Sequence, residues 1–446
     1  MENEQKKKSG AMESIAITRV PKEDRRSWVA VMLVQMGCMI CIPALMTGAL
    51  MIKAMPLSHM IIADIVGTLI ICALISLTGF IGADLGVPSV IVSKAAFGAQ
   101  GARIFISLIW AVTAVGYFAI QCEECSISFV NLLENNFGIN MPVIVSIVLW
   151  GVIMLLTAVF GIGAMEKLNA IAIPLLVLSS IIGLVMAIKD FGTTGMTDHY
   201  VDPTNEMSII EGVTLVVSFA AFGAAAAPDF TRYQKNRKQT VISNCVGYAL
   251  VGFLMILLGA LLTLFASDYD ISRVFITVGL PLVGITALML ATWTTNTSNV
   301  YSAGLDLVSL LQAKDDKRGL LTAIAGVIAI IVTVMGIASD MVSTLDVLGC
   351  LTLPATGALM GDYYLVRKGN PKNWKYIKDW RISGFAATAV GIATTYIPVG
   401  IGMINGLVVA GLAMWLFETA ENKIRNLKEK EFRTEFTDED IDEYYA

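Results

Sequence analysis

The sequence predicts an all-α polytopic membrane protein with about 12 transmembrane helices, and three observations carry that prediction. First, 56% of the 446 residues are hydrophobic and only 15% charged, where a soluble chain carries roughly a quarter. Second, apolar runs recur from Trp28 to Phe417, each near the ~20 residues that a ~30 Å hydrocarbon core demands of a helix. Third, the Lys and Arg residues fall in alternate connections rather than in all of them.

The spans are expected at roughly 28–50, 59–81, 103–133, 141–161, 164–188, 209–231, 240–267, 278–311, 319–338, 343–366, 382–397 and 399–418. If both termini are cytoplasmic, every Lys and Arg except Lys53, Lys189 and Arg273 falls on the inner side. That asymmetry is the positive-inside pattern, and it predicts a multi-pass protein of the plasma (inner) membrane. The domain reading is a cytoplasmic N-terminal segment 1–27, a membrane domain 28–418 and an acidic cytoplasmic tail 419–446. No cleavable signal peptide is expected, because the first 28 residues are polar and basic.

Span one reads "VQMGCMICIPALMTGAL", with Gly37 and Pro43 at mid-membrane depth. Five spans later comes "VVSFAAFGAAAAPDFTRY", with Gly223 and Pro228. Gly permits unusual dihedrals, and Pro removes a backbone donor and clashes with the preceding turn. Paired breaks of this kind mark inverted-repeat transporters, whose freed carbonyls and amides hold ions and substrate. The prediction is a first repeat over 28–188, an inverted second repeat over 209–366, and two extra helices over 382–418.

The densest polarity inside a span is "LATWTTNTSNVYSAG", Leu290 to Gly304. Thr294 and Thr295 offer hard hydroxyl oxygens suited to Na+, together with carbonyls freed at the span-one break. Asn296 offers one acceptor and two donors, a match for an amide-like or amidine-like edge. The alternative use of such a cluster is hydrogen bonding between helices.

Span three contains "VGYFAIQCEECS", which puts Tyr117, Gln121 and Glu124 on one helical face, Glu123 pointing away. Glu124 would face an outer vestibule, where a protonatable group could bind substrate or couple protons, or it would pair within the bundle. Cys122 and Cys125, with Cys38 and Cys41, have a zinc-like spacing, which brings an intramembrane metalloenzyme into view as another class. The only histidines, His59 and His199, are expected at the outer surface, and small polarizable Cys is ordinary bundle packing. Asp229 and Arg232 end span six as a pair suited to an ion pair or gate contact, and Asp306 lies deeper in span eight.

"WTTN" in span eight, "PDFTRYQKN" at the end of span six and "SKAAFGAQGAR" after span two together resemble the cytosine permease branch of nucleobase:cation symporter family one. That resemblance implies a leucine-transporter-type fold of two five-helix inverted repeats plus two helices, and uptake of nucleobases or hydantoins with Na+ or H+. It implies a Na+ site on the carbonyls of Gly37, Ile40 and Ala291 and the hydroxyls of Thr294 and Thr295. It also implies substrate contacts at Asn296, Ser218, Phe219 and a span-three aromatic. That aromatic is Trp in cytosine permeases, preceded by Gln three residues earlier, and here the positions hold Tyr117 and Ala114. Gln121, one turn on, could supply the missing amide, as in hydantoin-type relatives.

The expected function is therefore a secondary active transporter, not an enzyme. It would import cytosine or a related pyrimidine or purine with Na+ by alternating access, the ligand stacked on Tyr117 with Phe219 as the opposing ring. The alternative is H+ coupling through Glu124 with a hydantoin or vitamin-like pyrimidine as ligand. No cofactor beyond the coupling ion and no nucleic-acid partner is expected. The other partners are the lipid bilayer and the small-molecule nucleobase, and a monomer is the expected state.

Overall fold

Helix α1 (Trp28–Met39) starts where the Ser27 side chain accepts from the Ala30 N–H at 3.3 Å, a standard N-cap. The chain leaves the helix at Ile40 and Cys41, both extended, and resumes as α2 (Ile42–Ala54) at an angle of 51°. Pro43 sits in the first turn of α2, where its missing N–H has no helical partner to lose. The expected break in span one is therefore present, with its centre at Ile40 and Cys41. The computed structural model describes residues 16–191, 206–266, 281–336 and 340–434.

Helix α3 (Leu57–Leu85) ends on Gly86, whose φ of 71° gives the left-handed cap that only glycine adopts readily. Two short helices and a π-turn then feed α4 (Ser107–Phe137). Next come α5 (Val143–Phe160), α6 (Ile162–Phe191) and α7 (Ile209–Thr231), the last opened by a Ser208–Glu211 capping box. A short helix and the π-turn Asn244–Leu250 lead into α8 (Val251–Ala266). The remaining long helices are α9 (Pro281–Leu310), α10 (Arg318–Val334), α11 (Met341–Met360), α12 (Ile382–Thr395) and α13 (Gly402–Ile424).

With α1 and α2 as halves of one rod, the described residues form twelve rods, and the chain is an all-α polytopic membrane protein. The sheet they contain is a two-residue pairing of Tyr376–Ile377 with Phe432–Arg433. Helix α13 runs on to Ile424, past the expected end of span twelve at 418. Most of the loop "KDFGTTGMTDHYVDPTNEMS", including His199, and the acidic end of the tail lie outside the described residues.

The helix pairings come in mirrored sets. Helix α3 packs along α7, as α8 packs along α2; α4 packs on α9, and α5 on α10. Exchanging spans one to five with spans six to ten turns the α3–α7 pairing into α8–α2 and returns α4–α9 and α5–α10 to themselves. That supports the five-plus-five reading, with α12 and α13 packed on each other and on α11 outside the repeats. The α2–α8 crossing is tight: a Cβ at Gly48 would strike the Ile256 carbonyl, and one at Gly259 the Leu45 carbonyl. Small residues let membrane helices approach this closely.

Span six departs from expectation. Helix α7 runs unbroken from Ile209 through Gly223 and Pro228 to Thr231. Pro228 falls in the last turn, where its missing N–H leaves the Ala224 carbonyl without that partner but does not end the helix before Thr231. Gly223 keeps its helical place for a packing reason: the Tyr248 hydroxyl occupies the space a Cβ would need. The glycine marks a close approach, and the paired break is absent.

Candidate functional site

The break between α1 and α2 faces the polar turn of α9. Thr295 Oγ1 lies 2.6 Å from the Gly37 carbonyl oxygen, 3.3 Å from that of Ile40 and 3.3 Å from that of Ala291. Thr294 Oγ1 lies 2.6 Å from the Ala291 oxygen and 3.2 Å from the Gly37 oxygen. Three carbonyls and two hydroxyls thus converge in a buried cluster. Each hydroxyl donates to a carbonyl here, and rotating it would present a lone pair instead. The oxygens are hard and uncharged, a donor set that fits a monovalent alkali cation; divalent ions are usually held through carboxylates. Behind Gly37, where a Cβ would collide with it, the Asn169 amide donates to the Leu33 carbonyl at 3.0 Å.

Beside this cluster lies a cavity of about 580 Å³, its open approach included. Tyr117, Phe219, Phe222, Phe230 and Tyr248 supply aromatic walls. The Tyr117 and Phe222 rings are 5.6 Å apart at 34°, and Tyr117 Oη donates to the Ser218 carbonyl at 2.5 Å. That bond ties α4 to α7 and sets the ring plane. Amide polarity comes from Gln35, Gln121 and Asn299, and Thr295 belongs to both the cavity and the oxygen cluster.

The structure brings Gly37, Ile40, Ala291, Thr294 and Thr295 together, and it places Tyr117, Gln121 and Phe219 on the cavity wall. Two expected substrate contacts stand elsewhere. Ser218 gives its carbonyl to Tyr117 while its hydroxyl turns to Met403 Sδ at 3.7 Å. Asn296 points behind the wall, donating to the Phe118 carbonyl at 3.1 Å and packing against Met154 Sδ at 3.3 Å. Asn299 takes the wall position, one turn along the same helix. The ring packed beside Tyr117 is Phe222, three residues after the expected Phe219. Sequence reasoning missed Gln35, Phe222, Tyr248 and Asn299. The lone amide of Gln35 in an otherwise apolar helix was the one signal that could have flagged it.

Glu123 and Glu124 are both half-buried on α4, and neither lines the cavity. Cys38 Sγ lies 3.3 Å from Ser298 Oγ, whereas Cys122 faces the Ile147 carbonyl at 3.6 Å, so the two Cys pairs turn to different neighbours. Among the described residues no three of His, Cys, Asp and Glu gather around one point. Asp306 is buried in α9. At the end of α7, Asp229 accepts from the Ser89 N–H at 2.9 Å and its hydroxyl at 2.7 Å. Arg232, fully buried, donates to Tyr301 Oη at 2.9 Å, Tyr233 Oη at 3.1 Å and the carbonyls of Asp229 and Ala16. The basic-loop end of the bundle is therefore tied to the segment that precedes α1.

Residues 19–418 match the family described as "Permease for cytosine/purines, uracil, thiamine, allantoin". The cytosine permease of Escherichia coli K12 is 25% identical over 410 residues, which cover 91% of this chain and 94% of that protein. The allantoin permease of Bacillus subtilis 168 is 24% identical over 86% of this chain and 87% of its own length. Among solved structures, Mhp1 is described as a nucleobase-cation-symport-1 family transporter in a closed conformation with bromovinylhydantoin bound. It superposes with a TM-score of 0.81 at 16% identity, covering 98% of this chain and 100% of its own. A Na+-coupled sialic acid symporter in an outward-open state gives 0.67 at 16% identity, with 90% of each chain covered. At these identities the structural likenesses speak for the fold.

Proposed function

We propose, from the premise that this chain belongs to the family of permeases for cytosine/purines, uracil, thiamine and allantoin, that it imports a flat nucleobase-type heterocycle together with Na+. The chain is a membrane transporter and not an enzyme. The observation that carries the finer reading is the shared position of Thr295, which lies in the five-oxygen cluster and on the wall of the aromatic cavity. The residues of the cluster would hold the ion: the Gly37, Ile40 and Ala291 carbonyls with the Thr294 and Thr295 hydroxyls. A sodium ion bound there would supply positive charge that joins the broken rod to α9.

The cavity residues act on the heterocycle directly. Tyr117, oriented by the Ser218 carbonyl, offers a ring face for stacking, worth roughly 1–3 kcal/mol by analogy with bases stacked on aromatic side chains. Phe219 and Phe222 close the cavity from α7 and exclude water from the ligand's faces. Movement of the α1–α2 rod and α7 against α4 and α9 would alternate access to the cavity. The distribution of Lys and Arg favours cytoplasmic termini and residence in the plasma membrane.

The test is a melting screen of detergent-purified protein against cytosine, uracil, hypoxanthine, hydantoin and allantoin, each in NaCl or choline chloride at fixed pH. A ligand at a hundred times its Kd stabilises the fold by about 2.7 kcal/mol. The expected result is at least one heterocycle that raises Tm in Na+ and little in choline. Equal shifts in both salts would remove Na+ from the reading and move coupling to protons. No shift with any heterocycle would overturn the substrate class.

A further inference from the structure

After α13 the chain turns back onto the molecule. Phe432–Arg433 pairs antiparallel with Tyr376–Ile377 in the connection between α11 and α12, Tyr376 opposite Arg433 and Ile377 opposite Phe432. The Phe432 ring lies 5.6 Å from the Arg381 guanidinium, within the reach of a cation–π contact. The connection itself is pinned down. Trp374 Nε1 donates to the Val92 carbonyl at 3.2 Å, and the Arg381 N–H to the Phe97 carbonyl at 2.9 Å. That packing carries Lys94 to the Tyr376 ring, 5.2 Å from its centre. The tail therefore starts from a fixed point on a fixed surface.

Charge is divided between the two partners. The connection 367–381 has six Lys and Arg residues and one acid, Asp379. Arg367 and Arg381 are committed to Glu418 beneath the surface. Lys368, Lys372, Lys375 and Lys378, joined by Lys94, are half-buried or exposed and give the face its sign. Residues 435–446 hold Glu435, Asp438, Glu439, Asp440, Asp442 and Glu443, and no Lys or Arg. The pairing also sets a direction: an antiparallel partner runs from Tyr376 back toward Lys375 and Lys372, away from Asp379.

We propose that residues 435–446 dock on the basic face formed by Lys94, Lys372 and Lys375, which makes the α11–α12 connection the binding surface for the chain's own acidic tail. Six carboxylates within nine residues repel one another, and lysines beside them relieve that repulsion. Exposed ion pairs are individually weak, but the tether at Arg433 makes docking intramolecular, with an effective concentration in the mM range for a short linker. The contact is screened by salt. Anionic phospholipid headgroups, which cytoplasmic-side lysines also attract, compete for the same face.

The test begins with carbodiimide coupling of the purified full-length protein in detergent, the new Lys–carboxyl amide links being mapped by mass spectrometry. Links should join Lys94, Lys372 or Lys375 to acids of 435–443. Their yield should fall roughly three- to tenfold between about 50 mM and about 500 mM NaCl. Absence of tail links, or equal yields to the lysines Lys6, Lys7 and Lys8, overturns the proposal. Reconstituted in phosphatidylcholine, the protein should keep the links; their loss on adding phosphatidylglycerol would assign the face to headgroups and overturn it too.

Chymotryptic cleavage after Phe436 gives the second readout. Lys372→Glu with Lys375→Glu should speed it by a similar factor, while Lys372→Arg with Lys375→Arg leaves it slow. Adding Asp438→Lys and Asp440→Lys to the reversed pair should restore slow cleavage. A connection that has simply misfolded would not be rescued by changes in the tail, so failure of that rescue overturns the proposal, as does an unchanged rate in the reversed pair.

Discussion

The hydroxyl of Thr295 meets the carbonyl oxygen of Gly37 at 2.6 Å, across 258 positions of sequence. The contact exists because α1 stops at Met39 and leaves its last carbonyls without intrahelical partners. In hydrocarbon such groups must be satisfied within the protein, and Thr294 and Thr295 do so here. An ion that takes over these carbonyls competes with two hydroxyl protons that can turn away.

Thr295→Ala and Thr294→Ala should each weaken the Na+-dependent rise in Tm. A lost interaction with a charged partner is worth about 1.5–3 kcal/mol, which corresponds to roughly a ten- to hundredfold rise in the Na+ concentration needed for half the effect. A Na+ titration of the melt in each variant checks this. Unchanged midpoints in both variants would show that the cluster is interhelical glue.

Tyr117→Phe keeps the ring and deletes the 2.5 Å bond to the Ser218 carbonyl. The expected loss is about 1 kcal/mol of stability, with ligand affinity changed little. Tyr117→Ala removes the stacking face as well, and should cost roughly 1–3 kcal/mol in ligand binding. Isothermal titration of both variants separates the two roles; equal affinity in Tyr117→Ala would rule out stacking on this ring.

Gly259→Ala drives a methyl group into the Leu45 carbonyl, where α8 crosses α2. Overpacking of this kind costs typically 1–3 kcal/mol, and backbone on both sides cannot turn aside. Gly163→Ala, on α6, meets only the end of Arg26 at 3.6 Å. It should be neutral or stabilise by up to about 1 kcal/mol through helix propensity. Chemical unfolding of the two variants side by side gives the comparison.

Arg232→Lys replaces a planar fork with a single ammonium, which cannot reach Tyr301, Tyr233 and the Ala16 carbonyl together. The segment before Trp28 should then detach more often. Limited proteolysis should cut there faster than in the wild type, with stability reduced by about 1.5–3 kcal/mol. An unchanged cleavage rate would show that other contacts hold the segment.

Much of this architecture was legible because its signals are local. Apolar run length gave the twelve rods. The Gly–Pro pair in span one and the Thr pair in span eight each advertise their chemistry in a few adjacent residues. Span six shows the limit: Gly223 and Pro228 look like a break, yet Tyr248 from α8's approach fills the space at the glycine, and the proline lies in the final turn. Whether such residues break a helix depends on neighbours that sequence order does not name.

The sequence by itself determined the class, the spans, the break in span one and the Thr294–Thr295 pair, because hydrophobic length and backbone chemistry act within one segment; Gly37, Ile40 and Ala291 were named by the family resemblance. Only the tertiary structure decided which of two near-equivalent side chains faces the cavity. Asn296 and Asn299 are three residues apart and share a helical face, and only Asn299 lines the cavity. A few tens of degrees of helix rotation choose between them, and that rotation is set by what the helix packs against: the Phe118 carbonyl and Met154 for Asn296.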